Sequence, residues 1–111
     1  MRTEETMEPS TERKFEIVIG VTPEGDLFYR PAVLRAPRGA TISFKAEGTF
    51  TALFYDKTPF DKVVIESKGG ESSVATAARV VGPPGVYSFA VGLLHEGRIL
   101  LDPKCPEIII Q

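Results

Sequence analysis

Residue types able to do chemistry are sparse in this chain. It has one histidine, His95, one cysteine, Cys105, and two methionines, Met1 and Met7. His95, Glu96, Asp102 and Cys105 lie close in sequence and include the donor types that hold zinc-like metals. A hairpin turn at His95 separates them, because Asp102 and Cys105 then lie down the returning strand, roughly 15 Å away at the rise of extended chain. The spacing favours a turn histidine facing water. A metal-ion or small-molecule site using His95 and nearby carboxylates is the secondary reading. Cys105 sits between Lys104 and Pro106, and activated thiols do use cationic neighbours. With no second cysteine and no histidine fixed beside it by the sequence, nucleophilic catalysis is not expected. Carboxylates can work as acid and base in pairs, but Asp56 with Asp61 and Glu66 with Glu71 straddle turns or face solvent on a strand. Gly69 and Gly70 run into Glu71, which repels a phosphate, so no phosphate-cradling loop is read. No metal, cofactor or catalytic residue is expected, and the chain is read as a non-enzyme.

The elements that must position these residues follow from length and punctuation. At 111 residues the chain suits one core. Hydrophobic residues at 42% and charged residues at 25% match a soluble globular domain. Thirteen basic and fifteen acidic residues give a net charge of −2 with no basic run, which argues against nucleic acid. No stretch approaches the roughly 20 apolar residues of a membrane span. Residues 1–14 lack the apolar core of a signal peptide, and a single cysteine forms no internal disulfide, so the expected location is the cytoplasm. Those residues, polar and charged, are read as a flexible tail. Residues 15–111 are read as one β-sandwich domain.

Ten glycines and nine prolines punctuate short apolar runs every eight to twelve residues, the spacing of an all-β sandwich. Strands are expected over Phe15–Val21, Ala32–Ala36, Ala40–Ala46, Thr49–Tyr55 and Lys62–Ser67. Ser73–Val81 is ambiguous between a helical turn and a strand. A hairpin follows, from Val86 to Leu94 through His95, Glu96 and Gly97 to Arg98–Leu101, and Glu107–Ile110 closes the sheet. In Ala40–Ala46 the apolar Ile42, Phe44 and Ala46 alternate with Thr41, Ser43 and Lys45, so one face is wet.

Three local patterns, in order, resemble a cupredoxin-like, plastocyanin-type Greek-key sandwich of about seven to eight strands. They are Pro31–Phe44, with Arg38, Gly39 and Ala40 leading into Ile42 and Phe44; Pro84–Phe89, where Tyr87 follows a glycine turn as in a tyrosine corner; and Asp102–Pro103 followed by Ile108–Ile110. An immunoglobulin-like strand order is the alternative. The resemblance implies a type-1 copper site, which needs two histidines, a cysteine thiolate and usually an axial methionine. Here the cysteine position falls at about Val91, beside Ala90 and Gly92, and the early histidine position falls in Thr49, Phe50 and Thr51. The family scaffold is therefore expected without its copper ligands.

What remains is a reading by elimination: a protein-interaction module, whose partner is another protein or a copy of itself. Phe28, Tyr29, Arg30 and Phe60 fall outside the clear strands. Aromatics beside arginine match interface hot spots, so these four are the candidate interaction surface, with plugging of the sandwich ends as the competing role. Tyr87 is expected to be structural. The ligand count yields a first prediction. Titrating the protein with Cu(II) should give no intense thiolate-to-copper band in the visible spectrum, and such a band at one copper per chain would overturn the reading.

Overall fold

The computed structural model describes residues 13–67, 76–101 and 106–111. Ten strands run through them: β1 (Lys14–Val21), β2 (Leu27–Arg30), β3 (Val33–Ala36), β4 (Thr41–Ala46), β5 (Thr49–Phe54), β6 (Val64–Glu66), β7 (Thr76–Arg79), β8 (Gly85–His95), β9 (Arg98–Leu101) and β10 (Glu107–Ile110). They form two sheets. The smaller has the order β2-β1-β4-β7, and the larger the order β3-β10-β8-β5-β6, with β9 also paired to β8. The period-2 alternation of each strand decides what lies between the sheets. Ile17 and Ile19 of β1 and Ile42, Phe44 and Ala46 of β4 face Phe50, Ala52 and Phe54 of β5 and Tyr87, Phe89, Val91 and Leu93 of β8; all are buried. No polar or charged side chain is buried among the described residues, so the core is held by packing of apolar surface, at roughly 25 cal/mol per Å² removed from water.

Local chemistry explains the connections. β8 turns into β9 through Glu96 and Gly97, with His95 paired to Arg98 and positive φ at both turn residues, 51° and 78°. Two central residues at positive φ make a type I′ turn, whose twist matches a hairpin. The Gly85–Tyr87 corner is closed by a side chain. Tyr87, 1% exposed, donates its hydroxyl to the carbonyl of Pro83 four residues upstream, which is the tyrosine-corner bond. The same corner is stitched to the β5–β6 connection, because the Pro59 carbonyl accepts from Val81 N at 2.8 Å and Gly82 N at 3.0 Å.

Several sequence expectations are corrected in detail. Ten strands stand where seven to eight were expected, partly because Leu27–Arg30, left outside the strands, pairs antiparallel with β1. Lys14 belongs to β1, paired with Thr41, so the sheet reaches into the segment read as tail; residues 1–12 lie outside the described residues. The ambiguous Ser73–Val81 run contains a strand, Thr76–Arg79, that pairs with β4; residues 68–75, including the Gly69–Gly70 turn and Glu71, lie outside the described ones. β1 with β4 and β3 with β10 pair in parallel, unlike the antiparallel sheets of the immunoglobulin alternative.

The corner supplies a prediction. Tyr87→Phe removes one hydroxyl bond, and the acceptor residue Pro83 is exposed, so water can replace the lost donor. Chemical denaturation should therefore show a loss near 1 kcal/mol, the low end for a hydrogen bond to a buried side chain. A variant as stable as the parent would mean that the bond contributes nothing to the corner.

Candidate functional site

The four residues proposed as one surface are divided among three environments. β2 pairs with β1 so that Gly20 lies opposite Phe28, Val18 opposite Arg30 and Ile19 opposite Tyr29. Phe28 and Arg30 therefore share the outer face of the smaller sheet with Gly20 and Val18. Tyr29 follows Ile19 inward and meets Phe89 edge-on, with ring centroids 6.4 Å apart. On the outer face the Arg30 guanidinium lies 5.5 Å from the Phe28 ring centroid, and Phe28 covers Gly20 so closely that a Cβ there would come within 2.4 Å of the ring. Beside them is a shallow groove of about 370 Å³ that also takes in Lys45 and Glu47.

Phe60 is a correction. It is 3% exposed and meets Phe44 and Phe54 edge-on, at centroid distances of 6.0 and 5.5 Å. Its inward turn is set by Thr58, whose Oγ1 accepts from Phe60 N at 3.1 Å and donates to the Lys62 carbonyl at 2.7 Å. Phe60 therefore closes the end of the sandwich and cannot join Phe28 and Arg30 on an exposed face.

The candidate ligands do not fit a type-1 copper site. Val91, at the cysteine position, is 2% exposed and sits opposite Ala52 in the core. Phe50, in the early histidine region, is 1% exposed. His95 lies four residues beyond Val91, roughly 13 Å along the strand. There it borders a groove of about 310 Å³ with the β1–β2 turn and Arg98. Its Nε2 is 3.8 Å from Glu96 Oε2. Asp102 and Cys105 lie outside the described residues, and no group of three His, Cys, Asp or Glu side chains able to hold a metal occurs among the described ones. Asp56, Asp61 and Glu66 are all exposed, and Glu71 lies outside the described residues.

Residue-type reasoning did not reach the outer face of the larger sheet. The outward positions of the smaller sheet carry Lys14, Glu16, Arg30, Thr41, Ser43, Lys45 and Arg79 around Val18, Gly20, Phe28 and Ala77, a mainly polar set. Those of the larger sheet include Leu53, Tyr55, Val86, Leu94, Ile99 and Leu101, exposed by 44% to 76%. The signal was present in the sequence. Val86–Leu94 reads Val, Tyr, Ser, Phe, Ala, Val, Gly, Leu, Leu, without the alternation of β4. Its outward positions run Val86, Ser88, Ala90, Gly92 and Leu94, with Val86 and Leu94 exposed.

The divided placement predicts opposite outcomes for two phenylalanines. Phe60→Ala should cost about 3–5 kcal/mol, as for a fully packed ring, whereas Phe28→Ala on the outer face should cost less than about 1 kcal/mol. Urea denaturation of both variants checks this. Equal losses would contradict the division.

No protein-family model and no curated protein sequence matches the chain. Among solved structures it is similar to the pseudoazurin from Sinorhizobium meliloti, with a TM-score of 0.50 and 18% identity over 90% of this chain and 74% of that one. The pseudoazurin from Hyphomicrobium denitrificans also aligns, with a TM-score of 0.42 and 12% identity over 86% and 74% of the two chains. Pseudoazurins are cupredoxins. The chain has the cupredoxin-like Greek-key β-sandwich fold.

Proposed function

We propose that the chain is a non-enzymatic protein-interaction module, working in the cytoplasm, that binds through the outer face of its larger sheet. One observation carries the reading: the two outer faces of one sandwich differ in kind. A sheet face meant for water alternates polar residues outward, as β4 does with Thr41, Ser43 and Lys45. The larger sheet instead turns Leu53, Tyr55, Val86, Leu94, Ile99 and Leu101 outward. Single exposed apolar residues are ordinary, but a set gathered on one sheet face marks an interaction surface. Tyr55 also supplies an aromatic side chain, which interfaces favour.

This reading replaces the Phe28, Tyr29, Arg30 and Phe60 surface, of which only Phe28 and Arg30 share an outer face. It also supports a binding role over an enzymatic one, because the exposed residues are apolar and carry no nucleophile or general base.

Site-specific photocross-linking in cells tests it. A photoreactive phenylalanine analogue in place of Tyr55 should give a discrete protein adduct that is identifiable by mass spectrometry and is lost when Leu53→Lys is added. The same analogue in place of Ser43, on the solvated face, should give none. Absence of the Tyr55 adduct, or equal adducts from the two positions, would overturn the reading.

A further inference from the structure

We infer that the partner reaches this face by laying an extended segment along the open edge of β9, as one more strand of the larger sheet; the inference rests on the outer face being a docking surface. β8 is flanked on one side by β10 over Gly85–Ser88 and by β9 over Gly92–His95. β3 carries the sheet on beyond β10, but among the described residues no strand carries it on beyond β9. The sheet therefore has a gap in line with β3. Tyr55 N of the β5 side bonds the Ser88 carbonyl, and Phe89 N bonds the Pro106 carbonyl on the β10 side. By alternation the peptide groups of Leu93 and His95 also point to that second side, where Leu100 and Arg98 stand opposite them. Leu100 and Arg98 thus bond β8. The N–H and C=O of Ile99 and Leu101 face the gap, with no partner among the described residues.

An open edge specifies its occupant more closely than an apolar face does. Two N–H and two C=O groups in alternation match an extended backbone. Other edges of the sandwich are guarded in the ways that keep strands from pairing. β3 lies between Pro31 and Pro37 and carries Arg35, and β2 ends at Arg30 and Pro31. β7 is tied to β6 by the Thr76 hydroxyl, which donates to the Glu66 carbonyl at 3.4 Å. β9 instead carries Ile99 and Leu101, exposed by 72% and 76%. Both stand on the outer face, beside Leu94 and Gly92. A segment paired with β9 and apolar at alternate positions covers these two side chains, sets an acidic residue beside the exposed Arg98, and passes from the edge onto Leu94 and the rest of the face. A second copy fits the gap less well, because its own β9 has four residues and two such edges bury little area.

Amide exchange of the full chain, followed residue by residue by NMR, tests the proposal. The probe is a synthetic capped peptide in which valine alternates with threonine and one end is glutamate. Without peptide, the Ile99 and Leu101 amides should exchange at least about tenfold faster than the Leu100 amide, which bonds β8. Saturating peptide should slow both at least about tenfold, and the same peptide with every amide N-methylated should not. Leu101→Pro removes an N–H that the chain itself does not use, and should weaken the peptide at least tenfold more than Leu101→Ala does. Should that variant fail to fold, the N-methylated peptide decides. Slow Ile99 and Leu101 amides without peptide, or no slowing with it, overturn the proposal. Slowing that grows with the concentration of the chain alone means that a second copy fills the gap, and overturns the separate partner. A Tyr55 adduct without protection by the peptide removes the edge and leaves the docking face standing. A missing Tyr55 adduct removes the docking face and the inference with it.

Discussion

Phe44 is the contact on which the sandwich depends. It stands on β4, an interior strand of the smaller sheet, and meets Phe89 of β8 and Phe50 of β5 across the interface, at centroid distances of 5.9 and 6.4 Å. Phe60 reaches it from the β5–β6 connection, and Phe54 joins Phe89 to Phe60. Edge-on rings add about 0.5–1.5 kcal/mol per pair beyond the area they bury. Their larger consequence is register. A one-residue slip of β4 or β8 would turn its aromatic rings to the outside and its outward residues to the core. With those strands fixed, the outward positions are fixed too: Thr41, Ser43 and Lys45 on one side, Ser88, Ala90 and Gly92 on the other.

The same constraint bears on the region where the fold keeps its metal. A type-1 site needs imidazole and thiolate donors converging in a trigonal arrangement. Here β8 carries Val91 in line with Phe89 and Leu93, and β5 carries Phe50, all within the core. Positions that could hold donors extend the apolar packing. His95, on the same parity of β8, comes only where the strand leaves the core and enters the turn. Val91 and Phe50 thus serve the packing of the sandwich, and the fold by itself does not fix what such positions do.

The outer faces show how one sandwich can be half solvated. On the smaller sheet Arg30 stacks on Phe28, which in turn covers Gly20, so even the aromatic there is shielded by a charged side chain whose tip stays wet. On the larger sheet the aliphatic residues of β8 and β9 lie beside one another; Leu101 reaches across to Gly92, where a Cβ would stand 3.3 Å from its Cδ2. Apolar surface left in water is unfavourable in proportion to its area. The difference between the two faces is the feature on which the proposed binding role rests.

By itself the sequence determined the all-β class, eight of the ten strands in outline with β7 left open between strand and helical turn, and the β8–β9 turn at Glu96 and Gly97. Each is a local property. Alternation, glycine at positive φ and a tyrosine after a glycine turn are read from a few neighbouring residues. It also determined the copper-ligand count, since one histidine is one histidine in any fold. Tertiary structure decided what no local pattern carries. Leu27–Arg30 is a strand because β1 offers it a partner, and that pairing sends Tyr29 inward and Phe28 with Arg30 outward. Phe60 is core because Thr58 turns the chain toward Phe44 and Phe54. The run of β8 marked a strand, but which strands flank it, and which of its faces meets the opposing sheet, depends on pairings between residues far apart in the chain.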